Sequence, residues 1–222
     1  MRAAAAAFVL VLTVPLVAQS APPVAELTAT SANVSEPGTP VKIRILRWST
    51  DEERAPIVAA LNPPAAAGSA AAPAGAPAEA ARGRGGAAAG RGRGRGRGGA
   101  AAQLSPIAAF TAALGRAPTL GYIWTNEITG YSIKYAWHSL LPDGTDRIIL
   151  ASDRRLGAYT DAWKVTTPAP ATDYTFTLIE LRAGPKGALE GKTSLTNKIA
   201  IDHDAKTVAL ENYSTVPTTL RR

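Results

Sequence analysis

Cysteine is absent from all 222 residues. That excludes disulfide staples, thiolate metal sites, a cysteine nucleophile and the lipid-bearing cysteine of a tethered export product. Histidine is scarce, with only His138 and His203. No Gly-x-Ser-x-Gly elbow occurs, so the usual nucleophile turn of a serine hydrolase is missing. No run of apolar residues is long enough to cross about 30 Å of hydrocarbon as a lasting anchor. Strands and helices do not alternate as βαβ units, which argues against a doubly wound nucleotide-binding fold. No motif calls for a cofactor or a metal.

The N-terminus carries a clear signal. Met1-Arg2 is a positive start, residues 3–18 are apolar apart from Thr13 and Pro15, and Ala18-Gln19-Ser20 supplies small residues suited to cleavage. Residues 1–20 are expected to be a signal peptide, leaving an exported chain (periplasmic or secreted) of one domain, with no membrane anchor after cleavage. The net charge of +7 is concentrated rather than spread. Arg82, Arg84, Arg91, Arg93, Arg95 and Arg97 lie in one glycine-rich tract, and without them and Arg2 the acidic and basic residues are equal in number. Electrostatic arguments about partners therefore apply to that tract alone.

Residues 62–103 are almost only Ala, Gly, Pro and Arg. With no aliphatic larger than alanine, they lack the burial needed to offset about 1–2 kcal/mol of backbone entropy per residue, and a disordered insert is expected. Its flanks read as two short helices. Thr50-Asp51-Glu52-Glu53 is a capping box leading into Ile57, Val58 and Leu61, with Pro56 expected to bend or shorten that helix. Ser105-Pro106 is an N-cap and first helical residue, Ile107, Phe110 and Leu114 share a face, and Gly115 is the expected stop. The single domain thus comprises 21–61, the insert 62–103, and 104–222.

The rest alternates as strands. Val41, Ile43 and Ile45 follow a Glu36-Pro37-Gly38 turn from a weaker strand at 27–34. Tyr131, Ile133, Tyr135 and Trp137 alternate with polar residues, so the aromatics are expected on one face. Pro142-Asp143-Gly144 starts the next strand. Residues 174–182 are apolar on both faces, as in a central strand or one with a bulge. One strand is expected over 189–201, turning at 202–206 into a return through Val208 and Leu210. The fold class is α+β: an antiparallel curled sheet or partial barrel of about seven or eight strands with a short helical pair, interrupted by the insert.

Arg47-Trp48-Ser49-Thr50-Asp51-Glu52-Glu53-Arg54, Gly121-Tyr122-Ile123, Thr177-Leu178-Ile179-Glu180-Leu181-Arg182 and Glu211-Asn212-Tyr213 together resemble an uncharacterised family of exported bacterial proteins. The resemblance spans most of the mature chain in the same order. It implies export and an insert that departs from the family pattern, and it implies no activity.

Asp202-His203-Asp204 has the look of a metal triplet, but adjacent strand residues face opposite ways and such tetrapeptides form hairpin turns. His138 lies on a polar strand face. The aromatics of 131–137 either fill the core or line a cavity on a concave sheet. In the second case Tyr135 and Trp137, with Arg47, Glu180 and Arg182 as polar anchors, form a ligand site. Six tract arginines without interleaved aromatics suit weak, salt-sensitive contact with an anionic surface or polymer rather than a specific nucleic acid. The expected function is an exported module binding a small ligand or an envelope partner. An extracytoplasmic hydrolase is the alternative.

Overall fold

The computed structural model describes residues 22–62, 104–167, 171–185 and 187–222. The proposed signal peptide and nearly all of the Arg-Gly insert lie outside them. Eight strands close into an antiparallel barrel: β1 (Ala25–Ser31), β2 (Pro40–Ile45), β3 (Gly121–Trp124), β4 (Tyr131–Leu140), β5 (Asp146–Ser152), β6 (Thr177–Ala183), β7 (Leu189–Thr193) and β10 (Leu220–Arg221). Each neighbour in sequence pairs with the next, except that β10 is wedged between β7 and β1. Two helices, α1 (Asp51–Leu61) and α2 (Pro106–Arg116), and a separate hairpin of β8 (Ile199–Asp202) and β9 (Thr207–Leu210) complete the α+β fold. Where an open or partial barrel was one expectation, the sheet is shut by the two residues of β10.

Strand alternation sends one set of side chains inward. Val41, Ile43 and Ile45 of β2, Ile123 of β3, Ile148 and Leu150 of β5, and Ile179 and Leu181 of β6 fill the barrel with Tyr131 and Ile133 of β4. The long β5–β6 connection plugs one mouth, adding Leu156, Ala162 and Trp163 to the same core. Gly191 on β7 is required by packing: a Cβ there would stand 2.6 Å from Leu181 Cδ2 and 2.8 Å from Leu220 Cβ.

The expectation that Tyr131, Tyr135 and Trp137 share one face is overturned by a bulge. Ile133 pairs with Ser152 and Tyr135 with Ala151, so Lys134 is an extra residue on β4. The bulge reverses the alternation. Tyr131, Ile133 and Ala136 belong to the interior, whereas Tyr135 and Trp137 turn to the outer wall. Lys134 itself donates to the Ala117 carbonyl and to Thr119 Oγ1. On β6 the two apolar faces need no bulge, because both are covered.

A second core lies outside β4–β6. Tyr135, Ile149, Ala151, Phe176 and Leu178 pack under Ile57 of α1, Phe110 and Leu114 of α2, and Ile199, Val208 and Leu210 of the hairpin. The capping box at Thr50 and Glu53 forms as expected, an arrangement worth about 1 kcal/mol. Pro56 does not shorten α1. Both Pro56 and Glu52, whose carbonyl loses its donor, are exposed, so water can satisfy it. Gly115 does not end α2, which runs to Arg116; Ala117 turns extended ahead of Pro118, as a residue before proline should. Residues 189–201 are two strands, not one: β7 belongs to the barrel and β8 to the hairpin. No helix among the described residues is long and apolar enough to cross a membrane.

Candidate functional site

Four of the five ligand-site residues expected from sequence meet on the outer wall. Tyr135 and Trp137 of β4 and Glu180 and Arg182 of β6 flank Arg147 of β5, a residue sequence reading passed over. Glu180 is fully buried. It accepts from Arg147 Nε at 2.8 Å and from the Leu210 backbone N–H at 3.3 Å, and Arg182 stands 3.6 Å away. Arg147 reaches on to Asp202 Oδ2 at 2.7 Å, and that hydrogen bond holds the Asp202 carboxyl below its usual range. Tyr135 Oη and Thr207 Oγ1 are 2.5 Å apart. The bonds to Asp202, Leu210 and Thr207 tie the barrel wall to the β8–β9 hairpin, while Arg147–Glu180 joins β5 to β6 within the wall, so the cluster is a polar seam beneath the hairpin. Asp202 ends β8, and its other oxygen accepts from the Ala205 N–H in the hairpin turn at 3.0 Å.

Arg182 lies with its guanidinium 3.8 Å from the centre of the Tyr213 ring, and the buried Lys192 donates to the Tyr213 carbonyl at 2.5 Å. Burial, then the Glu190 carboxylate, pushes the Tyr213 phenol up. The fifth residue of the expected site stands apart. Arg47 forms two 2.7 Å bonds to Glu53 at the start of α1. Those bonds lower the Glu53 carboxyl to about 2. His138, expected on a polar face, stacks on Trp48 at 4.2 Å and lies 3.6 Å from Asp146.

A different arrangement occurs at the plugged mouth, between the β3–β4 loop (125–130) and the β5–β6 connection. A cleft of about 550 Å³ is lined by Glu127, Ile128, Thr129, Arg154, Tyr159 and their neighbours. Arg154 is clamped between two rings, 4.2 Å from Tyr131 and 5.4 Å from Tyr159. Its Nη2 donates to the carbonyls of Thr129 and Gly130 at 3.2 and 2.8 Å. The Tyr131 hydroxyl donates to Glu127 Oε1 and accepts from the Gly157 N–H. Burial, then that carboxylate, raises the phenol well above its ordinary range. Two of the eight buried side-chain atoms that have no partner among the described residues lie at this cleft: Glu127 Oε2, an acceptor, and Arg154 Nε, a donor.

Comparison with known proteins adds no assignment. No family model matches the chain, and no curated protein or solved structure matches it.

The cleft carries the two most exposed large apolar side chains among the described residues. Ile128 is fully exposed and Tyr159 is 77% exposed. Trp124 joins them across Gly130, where a Cβ would come within 3.0 Å of its indole nitrogen, and Tyr122 lies 5.4 Å from Trp124. Tyr122, Trp124, Ile128 and Tyr159 are four of the eight large apolar residues left exposed among the described residues. Sequence reading missed this cluster because Ile128 and Tyr159 lie in turns without periodicity and Tyr122 and Trp124 are the outward positions of the short strand β3. The available signal was an isoleucine and a tyrosine stranded among Thr, Asn, Gly and Arg, with no alternating neighbour to pack against.

A second groove, about 460 Å³, separates α1 from the hairpin and is lined by Asp51, Arg54, His203 and Lys206. Its arginine is already engaged: Arg54 bonds Asp51 at 2.5 Å and the Lys206 carbonyl at 3.4 Å. No group of three potential metal ligands occurs among the described residues.

Proposed function

We propose that the chain is an exported module whose barrel binds a ligand or envelope partner on its outer surface, at the cleft between the β3–β4 loop and the β5–β6 connection. One observation carries the reading. The barrel interior is filled by side chains, while exposed aromatic and aliphatic residues gather around one cleft that also holds an arginine and a glutamate. Exposed apolar side chains placed together mark contact surfaces more often than isolated ones do. Export rests on the charged start, apolar run and small-residue site of residues 1–20, and on the resemblance to exported proteins. The six tract arginines add weak contact with anionic surfaces.

The test separates these parts. Mass spectrometry of extracytoplasmic material should find a mature N-terminus between Gln19 and Ala21; material still beginning at Met1 removes the export claim. Mature protein incubated with isolated envelope should be retained through two contributions. The arginine-dependent one disappears at about 1 M salt, where the screening length is about 3 Å, or when the six arginines become glutamine. The cleft-dependent one survives salt and is lost in an Ile128→Asp, Tyr159→Asp double variant. Steady release of a soluble fragment from the envelope would instead favour the hydrolase.

A further inference from the structure

Resting on that surface-binding reading, we infer that the Glu127–Arg154–Tyr159 cleft is a subsite for an uncharged sugar ring. The polar side sets the first requirement. Glu127 and Arg154 both line the cleft, and each holds one unpartnered atom buried in its wall, Glu127 Oε2 and Arg154 Nε, which a ligand reaches when the side chain turns outward. Nη1 of Arg154 also makes no hydrogen bond among the described residues, all of its bonds running through Nη2. A hydroxyl is both donor and acceptor, so vicinal hydroxyls can answer the carboxylate and the guanidinium together. The cleft is lined by one carboxylate and one guanidinium, so their charges cancel and a ligand with no net charge fits it.

The apolar side sets the second requirement. Tyr159 offers an open ring face and Ile128 an exposed aliphatic edge beside it. The C–H face of a pyranose is flat and apolar, and it stacks on such a ring while the hydroxyls at its rim reach outward. Amphipathic rings of this kind serve ligands that are apolar on one side and polar on the other. A cleft of about 550 Å³ is within the usual range for small-molecule sites. A peptide is less suited here, because the closed barrel leaves no free strand edge to which it could add.

The test uses the mature chain and a panel of uncharged trisaccharides: chitotriose, cellotriose and maltotriose. Amide resonances are followed by NMR, with an apolar hexapeptide and a uronic-acid trimer as competitors in class. At least one uncharged sugar should shift resonances of the 125–130 and 154–160 segments with a Kd of about 1 mM, the weak affinity expected of one open subsite. Tyr159→Ala should weaken it about tenfold with an unchanged thermal midpoint, and Glu127→Gln should weaken it while leaving the Tyr131 contact in place. Shifts from the peptide or the acidic sugar alone would overturn the sugar assignment and leave the surface-binding reading standing. No shift from any uncharged sugar at about 10 mM, or equal binding by Tyr159→Ala, would overturn the assignment too, and water would then be what serves the two orphaned atoms. Envelope retention that persists in the Ile128→Asp, Tyr159→Asp variant would overturn the placement of the surface-binding reading, a separate failure from that of the sugar panel.

Discussion

The molecule holds two arginine–glutamate clusters with aromatic company, and they differ in completeness. Around Glu180 the acceptor oxygens are met by Arg147 and by the Leu210 N–H, Arg147 continues to Asp202, and the hairpin closes over the group. Around Glu127 one oxygen is used by Tyr131 and the other has no donor, while Arg154 retains donors and the cleft stands open. Burying charge is tolerated when partners are supplied from within the fold, and such a set becomes a structural seam. A set left incomplete beside open space is what a ligand can finish. Residue type does not distinguish the two clusters: the closed one satisfies its carboxylate and keeps one buried orphan, Arg182 Nε, at its edge, whereas the open one leaves both its carboxylate and its guanidinium short of a partner.

The sharpest way to break the comparison is to delete the closed cluster's acceptor. Glu180→Ala leaves Arg147 buried beside its vacated partner, a change that costs about 3–5 kcal/mol. A domain of this size should lose about 10 °C from its thermal midpoint. A loss of a degree or two would mean that the seam contributes little. A smaller effect follows from acid. Hydrogen bonds from Arg147 lower Asp202, and those from Arg47 lower Glu53 from 4.5 to about 2. A carboxyl depressed in the fold contributes stability that is complete above its ordinary pKa and is lost as pH falls through the lowered one. Thermal midpoints should therefore decline below about pH 4.5 toward pH 2, and Arg47→Ala should make that decline shallower; an identical decline would assign it to other carboxyls. The smallest effect belongs to the open cluster. Ile128→Ser removes a fully exposed side chain and should leave stability within about 0.5 kcal/mol by denaturant titration. A larger fall would mean that Ile128 packs on the domain and that the cleft is part of the core.

The same contrast explains what could be read from the chain. The alternation of Val41, Ile43 and Ile45, the Thr50 capping box and the hairpin turn at 202–206 are local patterns, and each appears where its spacing puts it. Tyr135 and Trp137 were legible as buried or half-buried aromatics but not by face, because one inserted residue at Lys134 reverses the alternation without marking itself in composition. Arg147 carries no local mark of its role. Its role depends on Glu180 and Asp202, 33 and 55 positions away, brought together only by the fold. The cleft was least legible, since Glu127, Arg154 and Tyr159 come from two connections that carry no period at all.

Closure of the barrel has a consequence for how the chain is made. Thr30 of β1 pairs with Arg221 of β10, a separation of 191 positions, and contacts that distant are the slowest to form. While the polypeptide emerges, β1 and β7 both present open rows of amide and carbonyl groups, awaiting a two-residue strand that is synthesised after every other strand. Such edges invite pairing between copies. The chain is therefore most prone to self-association while β1 and β7 are formed and β10 has yet to dock between them, and a chaperone that covers those two edges would protect it over that interval.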